Sequence, residues 1–315
     1  MKIIITGGQG FLGQRLARTL LQQKEVVIDE LILVDINEPV IPNNDQRVRS
    51  IKMDLRSEDT VKEIITKDVD AVFHLAAIVS SHAEEDPDLG YQINFLATRN
   101  LLERCRAVNP KIRFIFSSSL AVYGGKLPEM IEDQTAVTPQ STYGSQKAMC
   151  ELLINDYSRK GFVDGIVLRL PTICIRPGKP NKAASSFVSG IIREPLTGEV
   201  ANCPVDQSLA LWLSSPDTVI SNFIHALTLP SLAQRDWHVI NLPGFTITVE
   251  SMLNQLALIK GEEILNKVTY QFDSKINDIV ASWPAKIDIA RALSLGFSVD
   301  NNFADVIHQF INKDL

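Results

Sequence analysis

Tyr143 and Lys147 stand four residues apart in the run Tyr143-Gly144-Ser145-Gln146-Lys147. On a helix that spacing puts a phenol and an ammonium on one face. A phenol with a pKa of about 10 is a poor base at neutral pH, and a nearby positive charge favours its ionised form. So placed, Tyr143 can take the proton of a substrate hydroxyl while hydride leaves the same carbon for a cofactor. A Tyr-x-x-x-Lys pair alone is common on helix surfaces, so its surroundings decide. Upstream, Phe114-Ile115-Phe116 runs into Ser117-Ser118-Ser119, an apolar strand ending in hydroxyls. The carboxyl edge of a parallel sheet is where sites form. A serine there can donate to the reacting oxygen and hold it near Tyr143. The alternative is that these hydroxyls only cap a strand end.

These groups need a scaffold, and the first half of the chain predicts one. Short β-branched runs at 2–6, 30–34, 51–53, 71–74, 114–117 and 166–170 alternate with amphipathic segments such as 11–22, whose Leu12, Leu16 and Leu20 recur with helical period. Alternation of this kind predicts an α/β fold, a Rossmann-type doubly wound parallel sheet. Thr6-Gly7-Gly8-Gln9-Gly10-Phe11-Leu12-Gly13 follows the first strand and opens the first helix. Glycines in that position let the backbone approach a pyrophosphate, and the helix N–H groups then face the phosphates. Gly7, Gly10, Phe11, Leu12 and Gly13 are therefore candidate cofactor contacts. Asp35, at the end of the second strand, is placed to accept from the adenosine ribose hydroxyls and to repel a 2′-phosphate. With Asn37 nearby and no Arg or Lys adjacent, NAD is favoured over NADP. Asp54-Leu55, after the third strand, is placed to meet the adenine.

Residues 1–170 are read as the NAD-binding Rossmann domain and 171–315 as a smaller substrate-binding region. Part of the latter, a strand at 237–242, is expected to return to the sheet. The 315 residues carry 31 basic and 37 acidic side chains, a mild negative balance that argues against nucleic acid or an anionic membrane as partner and for a small molecule. Cys105, Cys150, Cys174 and Cys203 form no CxxC pair, and the five histidines have no metal-ligand spacing; buried thiols and no metal are expected. His74, inside an apolar run, reads as a satisfied core residue. The apolar start at Ile3 passes straight into the glycine turn, so no signal peptide is expected and a cytoplasmic protein is.

Thr6 to Gly13, His74-Leu75-Ala76-Ala77, Ser117 to Gly124 and Tyr143 to Lys147 together resemble the extended short-chain dehydrogenases, the superfamily of sugar-nucleotide epimerases and dehydratases. The resemblance implies that Ser119 contacts substrate, Tyr143 is the acid/base and Lys147 binds the nicotinamide ribose. It also implies that Leu75, Ala76 and Ala77 line the cofactor, that Pro171 and Thr172 sit by the nicotinamide amide, and that Asn94 supports the site. A homodimer is implied too, paired through helices beginning near Asn94 and Tyr143, with Ala148, Leu152 and Leu153 as apolar area. After the sixth strand the sequence departs from the sugar-nucleotide pattern: an aromatic-Asn pair and a Gly-Pro turn are replaced by Leu170-Pro171-Thr172-Ile173-Cys174-Ile175-Arg176-Pro177-Gly178. That stretch, with Lys179 to Phe187 and Gly190 to Leu196, resembles the bacterial D-erythronate dehydrogenase family, which implies NAD-dependent oxidation of a four-carbon sugar acid at C2.

A small hydroxy acid needs a planar cation for its carboxylate and small polar groups around it. Arg176 is the candidate cation, or else an exposed loop charge. Ser80, Ser81 and Ser185, expected on loops, are candidates for the polar groups, while Lys179 and Lys182 read as solvated. A sugar-nucleotide epimerase or dehydratase on the same scaffold, and an NAD-sensing protein without turnover, are the competing readings.

Overall fold

In the strands of this chain successive apolar side chains divide between two cores, as a sheet covered on both faces requires. Ile3, Ile5, Leu31, Leu33, Phe73 and Ile115 pack with Leu16 and Leu20 on one face; Ile4, Ile32, Val34, Val72, Phe114 and Phe116 pack with Leu101, Cys105 and Ile154 on the other. The computed structural model describes residues 1–180, 183–232 and 237–315; Asn181 and Lys182 lie outside the described residues. Strands β1 (Lys2–Thr6), β2 (Glu30–Asp35), β3 (Val48–Lys52), β4 (Ala71–His74), β5 (Arg113–Ser119), β6 (Asp164–Leu170) and β7 (Val239–Asn241) form one seven-stranded sheet in the order β7-β6-β5-β4-β1-β2-β3. Every pairing is parallel. The order reverses between β1 and β4, and the carboxyl ends of those two strands frame the crevice where a doubly wound sheet binds its ligand. Helices α1 (Phe11–Gln22), α2 (Ala97–Val108) and α3 (Thr142–Arg159) cover the sheet.

Past Leu170 the chain leaves the sheet. Thr172–Ile173 pairs with Ala210–Ser214, which pairs with Phe245–Thr248, in a separate three-stranded sheet. Its core includes Ile175, Val188, Ile191, Leu213, Met252 and Phe310, and helix α4 (Ser186–Thr197) packs there.

Several expectations are corrected in detail. The third strand was expected at 51–53 but runs Val48–Lys52; it is the edge of the sheet, its pattern broken by Arg49 and Ser50. Ser80 and Ser81, expected on a loop, open the helix Ser80–Glu85. The strand expected at 237–242 is confined to Val239–Asn241 and returns beside β6. Asn94 sits in a π-helical turn, Tyr91–Leu96, ahead of α2. Cys105, Cys150, Cys174 and Cys203 are buried and free. Among the described residues no helix is long and apolar enough to cross a membrane.

Candidate functional site

Three cavities run along the carboxyl edge of the sheet, and shared wall residues join them. The first, about 260 Å³, is lined by Gly7, Gly10, Asp35, Asp54, Leu55, Arg56, Leu75, Ala76 and Ala77 among others. The second, about 320 Å³, shares Gly7, Gly10 and Leu75 with the first and adds Phe11, Leu12, Gly13, Val79, Arg176, Lys179 and Arg193. The third, about 140 Å³, shares Val79 and Arg176 with the second and adds Ser80, Ser119, Tyr143, Pro171, Thr172, Ser185 and Trp283. The candidate cofactor and substrate residues thus line these adjoining cavities, with two exceptions: Ser81 and the buried Lys147 border none of the three.

The glycine turn fits a dinucleotide. Gly7 has φ +72°, and a Cβ on it would stand 2.8 Å from the Ala76 nitrogen, so the turn needs glycine to close against the end of β4. A Cβ on Gly13 would stand 2.2 Å from the Gly7 carbonyl, while one on Gly10 meets only that carbonyl, at 3.2 Å. Gly10 starts α1 without a side-chain cap. The first-turn N–H groups of Phe11, Leu12 and Gly13 lack intrahelical acceptors, as at any helix start, and border the second cavity. The Asp35 carboxylate accepts from the backbone N–H of Gln9 at 3.1 Å and of Asn37 at 3.0 Å, which fixes it at the rim of the first cavity. Arg56 in the same wall escaped the sequence reading. Its charge is taken up by Asp54, Nη2 to Oδ2 2.6 Å, and the guanidinium holds that carboxyl below the usual range. Among the described residues no group of His, Cys, Asp and Glu side chains could hold a metal.

The reacting end is built by α3 and β5. Ser141 caps α3 by accepting from the Gly144 N–H at 3.1 Å, which starts the helix just ahead of Tyr143. Lys147 is 1% exposed; its ammonium donates to the Ser117 carbonyl at 2.8 Å and lies 4.5 Å from the Phe116 ring centroid. Burial lowers its pKa to about 8, against the opposing pull of the neighbouring Cys150 sulfur and Glu151 carboxylate. Tyr143 borders the third cavity, yet protein surrounds its phenol closely enough that burial raises its pKa to about 12, opposed by a hydrogen bond from Ser119 and the charge of Arg176. The sequence argument assigned the lowering to Lys147, but that ammonium sits 5.6 Å from the Tyr143 ring centroid and points at a backbone carbonyl. The nearer help is Ser119 and Arg176.

Arg176 is partly buried, and desolvation lowers its pKa. Its backbone N–H donates to Ser189 and its carbonyl accepts from Arg193, so the chain here is well held. Its guanidinium has no hydrogen-bond or ion-pair partner among the described residues. Arg193, in contrast, is paired with Glu194 at 2.5 Å. Lys179 is exposed. Ser80 accepts from the Ala184 N–H at 3.4 Å, tying the 171–185 segment to the helix after β4.

Asn94 braces the site from beneath. Its side chain grips Ile78 through both backbone groups, at 2.9 and 3.1 Å, and donates to Gln146 of α3 at 2.7 Å. His74 is fully buried between Thr6, 2.7 Å from Nδ1, and Thr98, 2.8 Å from Nε2. Thr98 donates to the Asn94 carbonyl, so it accepts from His74 and the proton is assigned to Nε2. Burial and the charge of Lys147 hold the His74 pKa at about 3, and the ring stays neutral. Trp283, a third-cavity wall from the far end of the chain, was also missed, because no spacing ties it to Tyr143.

A larger cavity, about 780 Å³, lies between the 133–137 segment, Leu152, Trp237 and Arg291. Its charged walls are already paired, Arg169 with Glu151 and Arg291 with Asp133.

Residues 3–226 match the model of the NAD dependent epimerase/dehydratase family. The chain is 69% identical, over the full length of both, to a D-erythronate dehydrogenase of Haemophilus influenzae. It is 47% identical to one of Cupriavidus necator, covering 99% of this chain and 98% of the relative. The crystal structure of a nucleoside-diphosphate-sugar epimerase from Agrobacterium tumefaciens superimposes with a TM-score of 0.95 at 37% identity, over 100% of this chain and 94% of that one. The chain belongs to the NAD dependent epimerase/dehydratase family.

Proposed function

We propose that the protein oxidises D-erythronate at C2 to the 2-oxo acid, with NAD⁺ as hydride acceptor. Arg176 carries this assignment: a partly buried guanidinium, without a counter-ion among the described residues, borders the same small cavity as Tyr143 and Ser119. A carboxylate is the natural partner of such a fork. In a 2-hydroxy acid the carboxylate is one bond from C2, so seating it on Arg176 brings the C2 hydroxyl toward Tyr143. The two relatives named D-erythronate dehydrogenase support the choice of acid.

Ser119 donates to the C2 oxygen and orients it. Tyr143 takes the hydroxyl proton as C2 is oxidised to the carbonyl, the C2 hydride being what a bound cofactor would accept. When bound, NAD⁺ supplies the hydride acceptor and a positive charge beside the phenol. Lys147 would hold the nicotinamide ribose, and Gly7, Gly10, Phe11, Leu12 and Gly13 would bind the pyrophosphate. Asp35 would take the adenosine ribose; Asp54, Leu55, Leu75, Ala76 and Ala77 would wall the adenosine half; Pro171 and Thr172 would meet the nicotinamide amide. Ser80 and Ser185 contact the remaining hydroxyls of the acid.

A sugar-nucleotide substrate fits less well. The third cavity, about 140 Å³, is well below the roughly 300–1,000 Å³ of drug-sized sites. The epimerase title of the Agrobacterium structure keeps that reading in the test. A sensor without turnover would have no use for the Tyr143–Lys147–Ser119 arrangement.

Residues 1–170 would then serve as the NAD-binding domain and 171–315 as the substrate cap. A cytoplasmic protein suits four buried unpaired thiols, and a net charge of −6 suits neither nucleic acid nor an anionic membrane as partner. A homodimer through α2 and α3 would use Leu152, 56% exposed; Ala148, 6% exposed, packs inward and Leu153 partly so. Steady-state NADH formation across four- to six-carbon sugar acids tests the substrate assignment. D-erythronate should give the highest kcat/KM. No turnover of any sugar acid, with turnover of a nucleotide sugar, would overturn it.

A further inference from the structure

Tyr143, Lys147 and Glu151 recur at intervals of four along α3 and share one face. Each meets a different residue of the serine run that ends β5. Tyr143 is hydrogen-bonded with the Ser119 hydroxyl, Lys147 donates to the Ser117 carbonyl, and Glu151 accepts from the Ser118 hydroxyl. Glu151 is further held by Arg169 of β6, Nη2 to Oε2 2.6 Å and Nε to the two oxygens at 3.0 and 3.1 Å. Arg169 also donates to the Tyr123 hydroxyl, which donates to Asn241 of β7 at 2.9 Å. The pair is sealed, with side chains 3% and 1% exposed.

A buried ion pair is weak evidence for stability, since a well-packed apolar pair of similar volume often does as well or better. We propose that Glu151 and Arg169 are positioning residues for the reacting pair. They lock α3 in register against β5 and β6, so that Tyr143 stays on Ser119, and they set a carboxylate one helical turn behind Lys147. This rests on the reading of Tyr143 and Lys147 as the reacting groups.

The groups facing the Lys147 ammonium are few. Cys150 and Glu151 come from its own helix, with Tyr143 one turn ahead; His74 comes from β4; the Ser117 carbonyl and Phe116 ring come from β5; Arg169 of β6 stands behind Glu151. Glu151 is the one formal negative charge among them, and it opposes the burial that pulls Lys147 down. If turnover needs Lys147 charged, activity falls on the alkaline side, and removing the carboxylate moves that fall to lower pH.

The test compares pH profiles of kcat for the intact enzyme, Glu151→Gln, Glu151→Asp and the paired replacement Glu151→Leu with Arg169→Met. Glu151→Gln should lose about tenfold or more in kcat at neutral pH while KM for the sugar acid changes less than about twofold, and its alkaline limb should move down by about one pH unit. Glu151→Asp should keep the limb in place. The paired replacement, which leaves no orphaned charge, should fold and still show both defects. An unmoved limb in Glu151→Gln, or wild-type kcat and limb in a folded paired variant, overturns the proposal. Tyr143→Phe runs alongside: if it loses turnover while the Glu151 variants do not, only this inference fails. If Tyr143→Phe keeps its turnover, the reading beneath it fails and this inference falls with it.

Discussion

Replacing Arg176 by Met keeps a long, flexible side chain and deletes the cation. Two opposite effects follow from the structure. The guanidinium is partly desolvated and has no counter-ion among the described residues, so its presence costs the free protein stability; Arg176→Met should raise Tm, since the backbone bonds to Ser189 and Arg193 are untouched. With substrate the sign reverses. A charge-assisted interaction is worth about 1.5 to 3 kcal/mol, and at about 1.4 kcal/mol per decade this is about a 10- to 100-fold rise in KM for the acid. A smaller effect on kcat follows from Tyr143. Arg176 helps lower the phenol's pKa, so kcat should drop a few-fold at neutral pH and recover as pH rises. Initial rates with acid and NAD⁺ varied separately, plus a thermal melt, read all three. Arg176 also borders the cavity of the glycine turn. A rise in KM for NAD⁺ instead of the acid would move the residue to the pyrophosphate, and an unchanged KM for both would remove it from binding altogether. In that case Ser185 and Lys179 would be the next groups to test for the carboxylate.

Asp35 should make NAD⁺ preferred over NADP⁺ by at least about tenfold in kcat/KM, which needs only about 1.4 kcal/mol of carboxylate–phosphate repulsion. Arg56 does not offset it, because Asp54 occupies that cation; equal use of both cofactors would refute the assignment. Trp283→Leu should enlarge the third cavity and cut the discrimination between four- and six-carbon acids by about tenfold or more, within the ~1–3 kcal/mol that pocket size commands; an unchanged ratio would show that another wall sets the limit. His74 is held to about 3 from an ordinary 6.5, so it contributes stability that is complete above about pH 6.5 and lost as pH falls toward 3. The urea midpoint should drop across that window, with a shallower slope in His74→Gln; equal slopes would mean that other groups carry the acid sensitivity.

The parts of the fold readable in advance were those with local signatures. The glycine turn announced itself because Gly7 needs a positive φ and Gly13 meets the Gly7 carbonyl, both consequences of neighbours within a few residues. The central strands were legible because both faces are buried and their apolar runs are unbroken. β3 was blurred because an edge strand tolerates Arg49 and Ser50. The site separated along the same line. Tyr143 and Lys147 follow from a helix repeat; the strand end points to a serine of the run, and the family resemblance singles out Ser119. Trp283 and the Glu151–Arg169 pair depend on which distant elements meet, and no spacing records that; Arg56 lies next to Asp54-Leu55 but carries no motif of its own. The electrostatics were half legible: the Tyr–Lys spacing pointed to a tuned phenol, but the direction in which the Lys147 ammonium points depends on the Ser117 carbonyl across the gap between helix and strand.

Tyr143→Phe tests the central claim most directly, since it removes one oxygen and keeps the ring in place. Measured with D-erythronate and NAD⁺, its kcat should fall by about 10²- to 10⁴-fold, the range expected for losing a positioned acid/base, while NAD⁺ affinity stays within about twofold of the intact enzyme. A variant that kept most of its turnover would contradict the account, because among the described residues no other group lining the third cavity is a candidate to take the C2 hydroxyl proton.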